Sequence, residues 1–90
     1  MEEGKLLRVL ILTGNLVLVS QIEEVGADIG EPDCKLVEPF VLEIDSNNIT
    51  LSPWLMQYTN ENSYMISSEK IITLVKPKGI IEEKYWSLVK

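Results

Sequence analysis

The sequence predicts an all-β chain, a small and strongly bent antiparallel barrel of five to six strands with one short C-terminal helix. Three observations carry that expectation. Runs of branched and aromatic residues recur along the chain, separated by turns built from Gly, Asn, Pro and Ser. Ninety residues make one domain, 1–90, too small for a two-sheet sandwich of standard size. Pro39 and Pro53 fall inside strand patterns, where only an edge or a bulge accepts them, and bulges are where a small barrel bends.

The elements follow in order. Leu6–Leu12 (LLRVLIL) reads as a strand and stops at Thr13-Gly14-Asn15, a tight hairpin turn in which Gly14 takes φ > 0. Leu16–Val25 (LVLVSQIEEV) is the return strand, and Ser20 in its middle is small enough to let it curl. Gly26–Asp33 holds two glycines, a proline and three acids and reads as a loop. Leu36–Asp45 and Ile49–Thr59 form a second hairpin about Ser46-Asn47-Asn48. Tyr64–Ser67 and Ile71–Lys76 are two more short strands on either side of Ser68–Lys70. From Ile80 to Val89 the period changes. Ile81, Tyr85 and Leu88 share one helical face, and Glu82, Glu83 and Lys84 point away from it. Such an element order suits a barrel of the SH3, OB or Sm type.

Leu6–Leu12 and Leu16–Val19 are apolar on both faces, whereas a half-buried antiparallel strand alternates apolar with polar. Both faces therefore need cover. The C-terminal helix supplies part of it, and a neighbouring subunit is expected to supply the rest, so the chain is read as a homo-oligomer, with a helix-capped monomeric barrel as the alternative.

Composition excludes much chemistry. The chain has no histidine, which removes His general bases, Ser-His and Cys-His nucleophiles and most transition-metal sites. Its single cysteine, Cys34, allows neither an intrachain disulfide nor a Cys-rich zinc module. Glu23-Glu24 and Glu82-Glu83 are adjacent pairs that point apart or lie on the surface. Asp28, Glu31 and Asp33 lack the ligand spacing of a calcium loop and read as a solvated acidic loop. We expect no enzyme, no catalytic residue, no metal and no cofactor. The apolar stretch Leu6–Val19 is no secretory segment, because Glu2 and Glu3 precede it and Arg8 interrupts it. No run reaches a membrane span. A cytoplasmic protein without membrane association is the expectation.

Net charge is −6, unevenly spread. Residues 1–45 hold ten acids and three bases, and residues 46–90 hold four acids and five bases. An anionic partner belongs with the second half, where Lys70, Lys76 and Lys78 lie within nine residues. Solvated strand ends are the plainer account of those lysines. Trp54, Tyr58 and Tyr64 are candidates for stacking on bases, although Trp54, Met56 and Tyr58 share one strand face, and packing against a neighbour or the barrel is the plainer account of them.

The Leu-Thr-Gly-Asn hairpin at 12–15, the second strand running to Gln21-Ile22-Glu23 and the late Lys70-Ile71-Ile72-Thr73-Leu74-Val75-Lys76-Pro77 resemble the Sm/LSm family, bacterial Hfq included. The chain looks closest to Sm-like proteins of cyanophage and marine metagenomic origin, which share an element like Leu51-Ser52-Pro53-Trp54-Leu55 and a C-terminal tyrosine as at Tyr85. The resemblance covers about residues 5–88. It implies edge-to-edge pairing through the strands around Tyr64–Ser67 and Ile71–Lys76, closing a homo-oligomeric ring of five to seven subunits. It also implies a non-catalytic role on single-stranded RNA or DNA, in the cytoplasm of a bacterial host if phage-encoded. Phosphates would then meet Lys70, Lys76 and Lys78, with polar contacts from Ser67 and Ser68. The final family turn reads Ser67-Ser68-Glu69-Lys70 here, so Lys70 alone keeps its positive charge. The alternative is a protein-interaction or structural module of phage origin that binds no nucleic acid, which the net charge favours.

Overall fold

The hairpin at the start of the chain forms where its turn residues place it. The computed structural model describes residues 6–26, 29 and 31–89. In it β1 (Leu6–Leu12) pairs antiparallel with β2 (Leu16–Glu24) from Leu12↔Leu16 to Leu6↔Ile22. Gly14 at φ 86° and Asn15 at φ 65° make the turn, both being residue types that tolerate a left-handed backbone. β3 (Cys34–Asp45), β4 (Asn48–Pro53), β5 (Ser63–Ile66), β6 (Ile71–Val75) and helix α1 (Gly79–Leu88) follow. The sheet is antiparallel and runs β4-β3-β2-β1-β6, with β5 beside the first half of β3 and β4 beside its second half. The fold is thus the expected one, six strands and a short helix. Among the described strands the ladder does not close, because β6 pairs with β1 alone and β4 and β5 pair with β3 alone.

The bend is made opposite Ser20. Val19 pairs with Phe40 and Gln21 with Val37, so β3 carries one residue more than β2 there. That bulge is at Glu38-Pro39, with Glu38 at φ 55° and Pro39 contributing no N–H to the ladder. One extra residue inverts the alternation. Leu36, before the bulge, packs with Leu10, Leu12 and Leu18 on one face, while Phe40 and Leu42, after it, pack with Leu7 and Val19 on the other. The carbonyls that the bulge leaves unpaired are met by side chains. Ser20 Oγ lies 3.1 Å from the Val37 carbonyl, and the Tyr85 hydroxyl lies 2.9 Å from that of Glu38.

Both faces of β1 and β2 are covered within one chain. α1 lays Ile81 and Tyr85, one turn apart, over Leu7, Val19, Phe40 and Leu42. Tyr85 meets Phe40 edge to face at 5.6 Å and its hydroxyl accepts from Gln21 Nε2. The bend folds the other face inward, where Trp54, Ile66 and Ile71 close on Leu10, Leu12, Leu18 and Leu36. Cover by a neighbouring subunit is therefore not needed to bury these strands.

Two boundaries differ from the sequence reading. The fourth strand was expected to reach Thr59 but stops at Pro53, and residues 54–62 form a loop. Trp54 turns inward, Leu55 takes φ 66°, and the Leu55 carbonyl accepts from Tyr58 and Thr59 in a single turn. Trp54, Met56 and Tyr58 consequently do not share a strand face. Leu88, which shares the helical face of Ile81 and Tyr85, is half exposed where those two are buried.

Candidate functional site

β6 separates the lysines that the sequence grouped. Lys70 ends the 3₁₀ turn Ser68–Lys70 before the strand, and Lys76 and Lys78 follow its far end. Five residues at ~3.3 Å each put roughly 16 Å between them. The serines at the Lys70 end are already engaged. Ser67 Oγ caps the Glu69 amide, and Ser68 donates to Asp33 through both its N–H and its hydroxyl, each at 2.8 Å. Those two bonds hold the Asp33 carboxyl below the usual carboxylate range. A carboxylate thus sits on the turn that was expected to attract phosphate. Asp28, one of the three acids of the acidic-loop reading, lies outside the described residues.

Cys34 is buried beside this turn, in a depression of about 610 Å³ lined by Leu6, Ile22, Ile71 and Leu74 together with Arg8, Glu24 and Ser68. Burial pushes its thiol up, and the nearby charges of Asp33 and Glu24 push it further. A thiol in that state is a poor nucleophile at neutral pH. Tyr85 is also raised, chiefly by burial. Among the described residues no three His, Cys, Asp or Glu side chains come together as a metal site requires, and no helix is long and apolar enough to cross a membrane.

The aromatic candidates lie elsewhere. Trp54 and Tyr64 meet edge to face at 6.0 Å, and the Tyr64 hydroxyl donates to the Glu61 carbonyl at 2.6 Å. Tyr58 projects into solvent, 83% exposed. Trp54 and Tyr64 form part of a cleft of about 460 Å³ with Pro39, Pro53, Met56 and Leu88. Glu38, Glu61, Thr59 and the amides of Asn60 and Asn62 are its polar side chains. The cleft is tied together from both sides: Glu38 N–H donates to the Asn62 carbonyl at 2.7 Å, Asn62 Nδ2 to Glu38 Oε2 at 2.8 Å, and Trp54 N–H to the Pro39 carbonyl at 3.1 Å. Two bulky residues with positive φ, Glu38 and Leu55, lie in or beside it. Backbone strain of this kind persists only where surrounding bonds fix it, and it gathers at functional surfaces.

Sequence reasoning did not single out Glu38, Glu61 or Asn62. One signal was present, since no Lys or Arg occurs between Lys35 and Lys70. Any surface assembled from that stretch has no cation of its own.

No curated protein matches the sequence. Residues 5–90 match the model of a family of unknown function, DUF6561, and the chain belongs to that family.

Proposed function

We propose that the protein is a non-catalytic, self-assembling scaffold. Its copies join edge to edge, β6 of one against β5 of the next, into an Sm-like ring. The observation that carries this reading is a pair of unprotected sheet edges. Among the described residues β6 (IITLV) and β5 (SYMI) each pair on one side only, and neither contains a charge or a proline in a chain that is 24% charged. Natural edge strands are normally blunted by Lys, Pro or cover, so two bare edges on one chain suit pairing between copies. β4 differs, because its edge ends in Pro53. Ile72, Leu74 and Val75 on β6 and Met65 on β5 are exposed in the single chain, and pairing would bury them.

Light scattering at micromolar concentration tests the reading. The expected mass is at least three times the 10.2 kDa of one chain, with each contact burying over ~1,000 Å² in total. Ile72→Lys and Met65→Lys are each expected to give folded monomers. A wild-type mass of one chain overturns the proposal.

The second reading, single-stranded RNA or DNA on the ring, is favoured by exposed Lys70, Lys76 and Lys78, each repeated around an axis. Against it stand Asp33 at the Lys70 turn and the aromatic side chains set among carboxylates instead of lysines. Binding that weakens steeply with salt and is lost in Lys70→Glu would establish it over the scaffold reading.

A further inference from the structure

The cleft between the β3 bulge and the 54–62 loop has a ligand of matching chemistry in the same sequence. Its floor is Pro39, Pro53, Trp54, Met56, Tyr64 and Leu88, and its charges are the carboxylates of Glu38 and Glu61 alone. What fits is an extended, cationic segment with a compact apolar residue. Lys76-Pro77-Lys78 is such a segment. It follows β6 directly, its two lysines are exposed, and its proline holds the backbone extended. Within one chain this segment leads into the N-terminus of α1, and the cleft lies by the C-terminal end of that helix, at Leu88.

We infer that the cleft of one protomer receives Lys76-Pro77-Lys78 of a second copy. The inference rests on the edge pairing proposed above and adds a charged latch to it. If β6 joins β5 of its neighbour antiparallel, as every pairing in this sheet is, its C-terminal end meets the N-terminal end of β5. The residues before Ser63 there are Asn60, Glu61 and Asn62, the acidic rim of the cleft. Pairing thereby brings Lys76 and Lys78 to Glu61 and Glu38, and Pro77 to the aromatic floor. The latch also gives direction to the assembly, since the acidic cleft and the basic segment lie at different edges of each copy. Contacts of that kind are heterologous and generate rings where the rotation between copies closes. Phosphate is the wrong occupant for a cleft whose charges are both negative.

Charge exchange tests the latch, with the assembly's dissociation concentration as the readout. Glu61→Lys is expected to raise that concentration about ten-fold at 50 mM salt and much less at 500 mM, the behaviour of a close interfacial charge pair. Lys76→Glu with Lys78→Glu is expected to do the same, and the protein carrying all three exchanges to recover most of the wild-type affinity. Circular dichroism should show each variant folded, because the three positions are exposed. An assembly that Ile72→Lys breaks but the charge exchanges leave unaltered overturns the latch and spares the edge pairing. A monomeric wild type overturns both. Loss of single-strand binding in the lysine variant, without recovery of assembly in the triple exchange, would assign the lysines to nucleic acid and also overturn the latch.

Discussion

Gly14 stands at φ 86°, and a Cβ built there would meet no atom within 4 Å. The cost of Gly14→Val is therefore conformational and involves no clash. We expect a loss of about 1–3 kcal/mol, read from the urea midpoint, and an unchanged midpoint would mean the turn adopts another geometry. Tyr85 tests a different kind of dependence. Its hydroxyl lies against the Val37 and Glu38 carbonyls and accepts from Gln21, all at the bulge. Tyr85→Phe keeps the ring and strands those groups, so a cost of about 1–3 kcal/mol is expected by the same measurement. Cys34 and Asp33 shift in opposite senses. The Cys34 thiol is raised, so the folded state favours its neutral form. The associated stability is present below the ordinary thiol range and is lost as pH rises through the folded value. Native protein at pH 8 should react slowly with a disulfide reagent, and denatured protein at once. The Asp33 carboxyl is lowered, so its bonds to Ser68 persist above the ordinary carboxylate value and fail only as pH falls through the lower folded one. Protection of the Ser68 amide from hydrogen exchange should therefore persist at about pH 4, the unperturbed value for Asp, and fall only at lower pH.

At the scale of elements, α1 is a cover and β3 is a switch of faces. The helix has no side-chain cap at Lys78, and only Ile81 and Tyr85 of its ten residues are buried. A helix so short is marginal alone, so the sheet beneath it holds it in place. Ile81→Ala should cost about 2–5 kcal/mol, while Glu83→Ala, on the exposed side, should change stability by no more than about 0.5 kcal/mol. Equal effects would mean that the helix is not docked through this face. In β3 the bulge lets one strand serve two cores, Leu36 in one and Phe40 with Leu42 in the other. β5 and β4 can then both pair with it, one on each side of the bend.

For the whole molecule, the division of charge and the open edges act together. In the proposed assembly the net charge of −6 would oppose association at low salt, and the basic segment after β6 and the acidic cleft would give the copies one orientation in which attraction wins. The scaffold reading expects no retardation of single-stranded RNA or DNA at 50 mM salt. Lys70→Glu should then leave assembly intact, since Lys70 is distant from the cleft along β6.

The strand list, the two hairpins and the C-terminal helix were legible from local chemistry. Turn residues and the change from two-residue to helical period are properties of neighbours in sequence. Gly14 announced its turn, and Pro39 announced an edge or a bulge. The absence of histidine bounded the chemistry, and the cation-free stretch from 36 to 69 was open to reading. Other features were decided by tertiary structure. Which residue would take the strain at the bulge, Glu38, depended on the register of β2 against β3, a relation between segments far apart in the chain. That same inversion set which apolar residues face α1 and which face inward, so cover for both faces could come from within one chain. Lys70 was parted from Lys76 and Lys78 because the extended strand between them spans its full length. Glu38 and Glu61, far apart in sequence, meet at one cleft because Asn62 is bound to the bulge. Spacing along a chain fixes what each segment can become, and only the pairing of segments fixes what stands beside what.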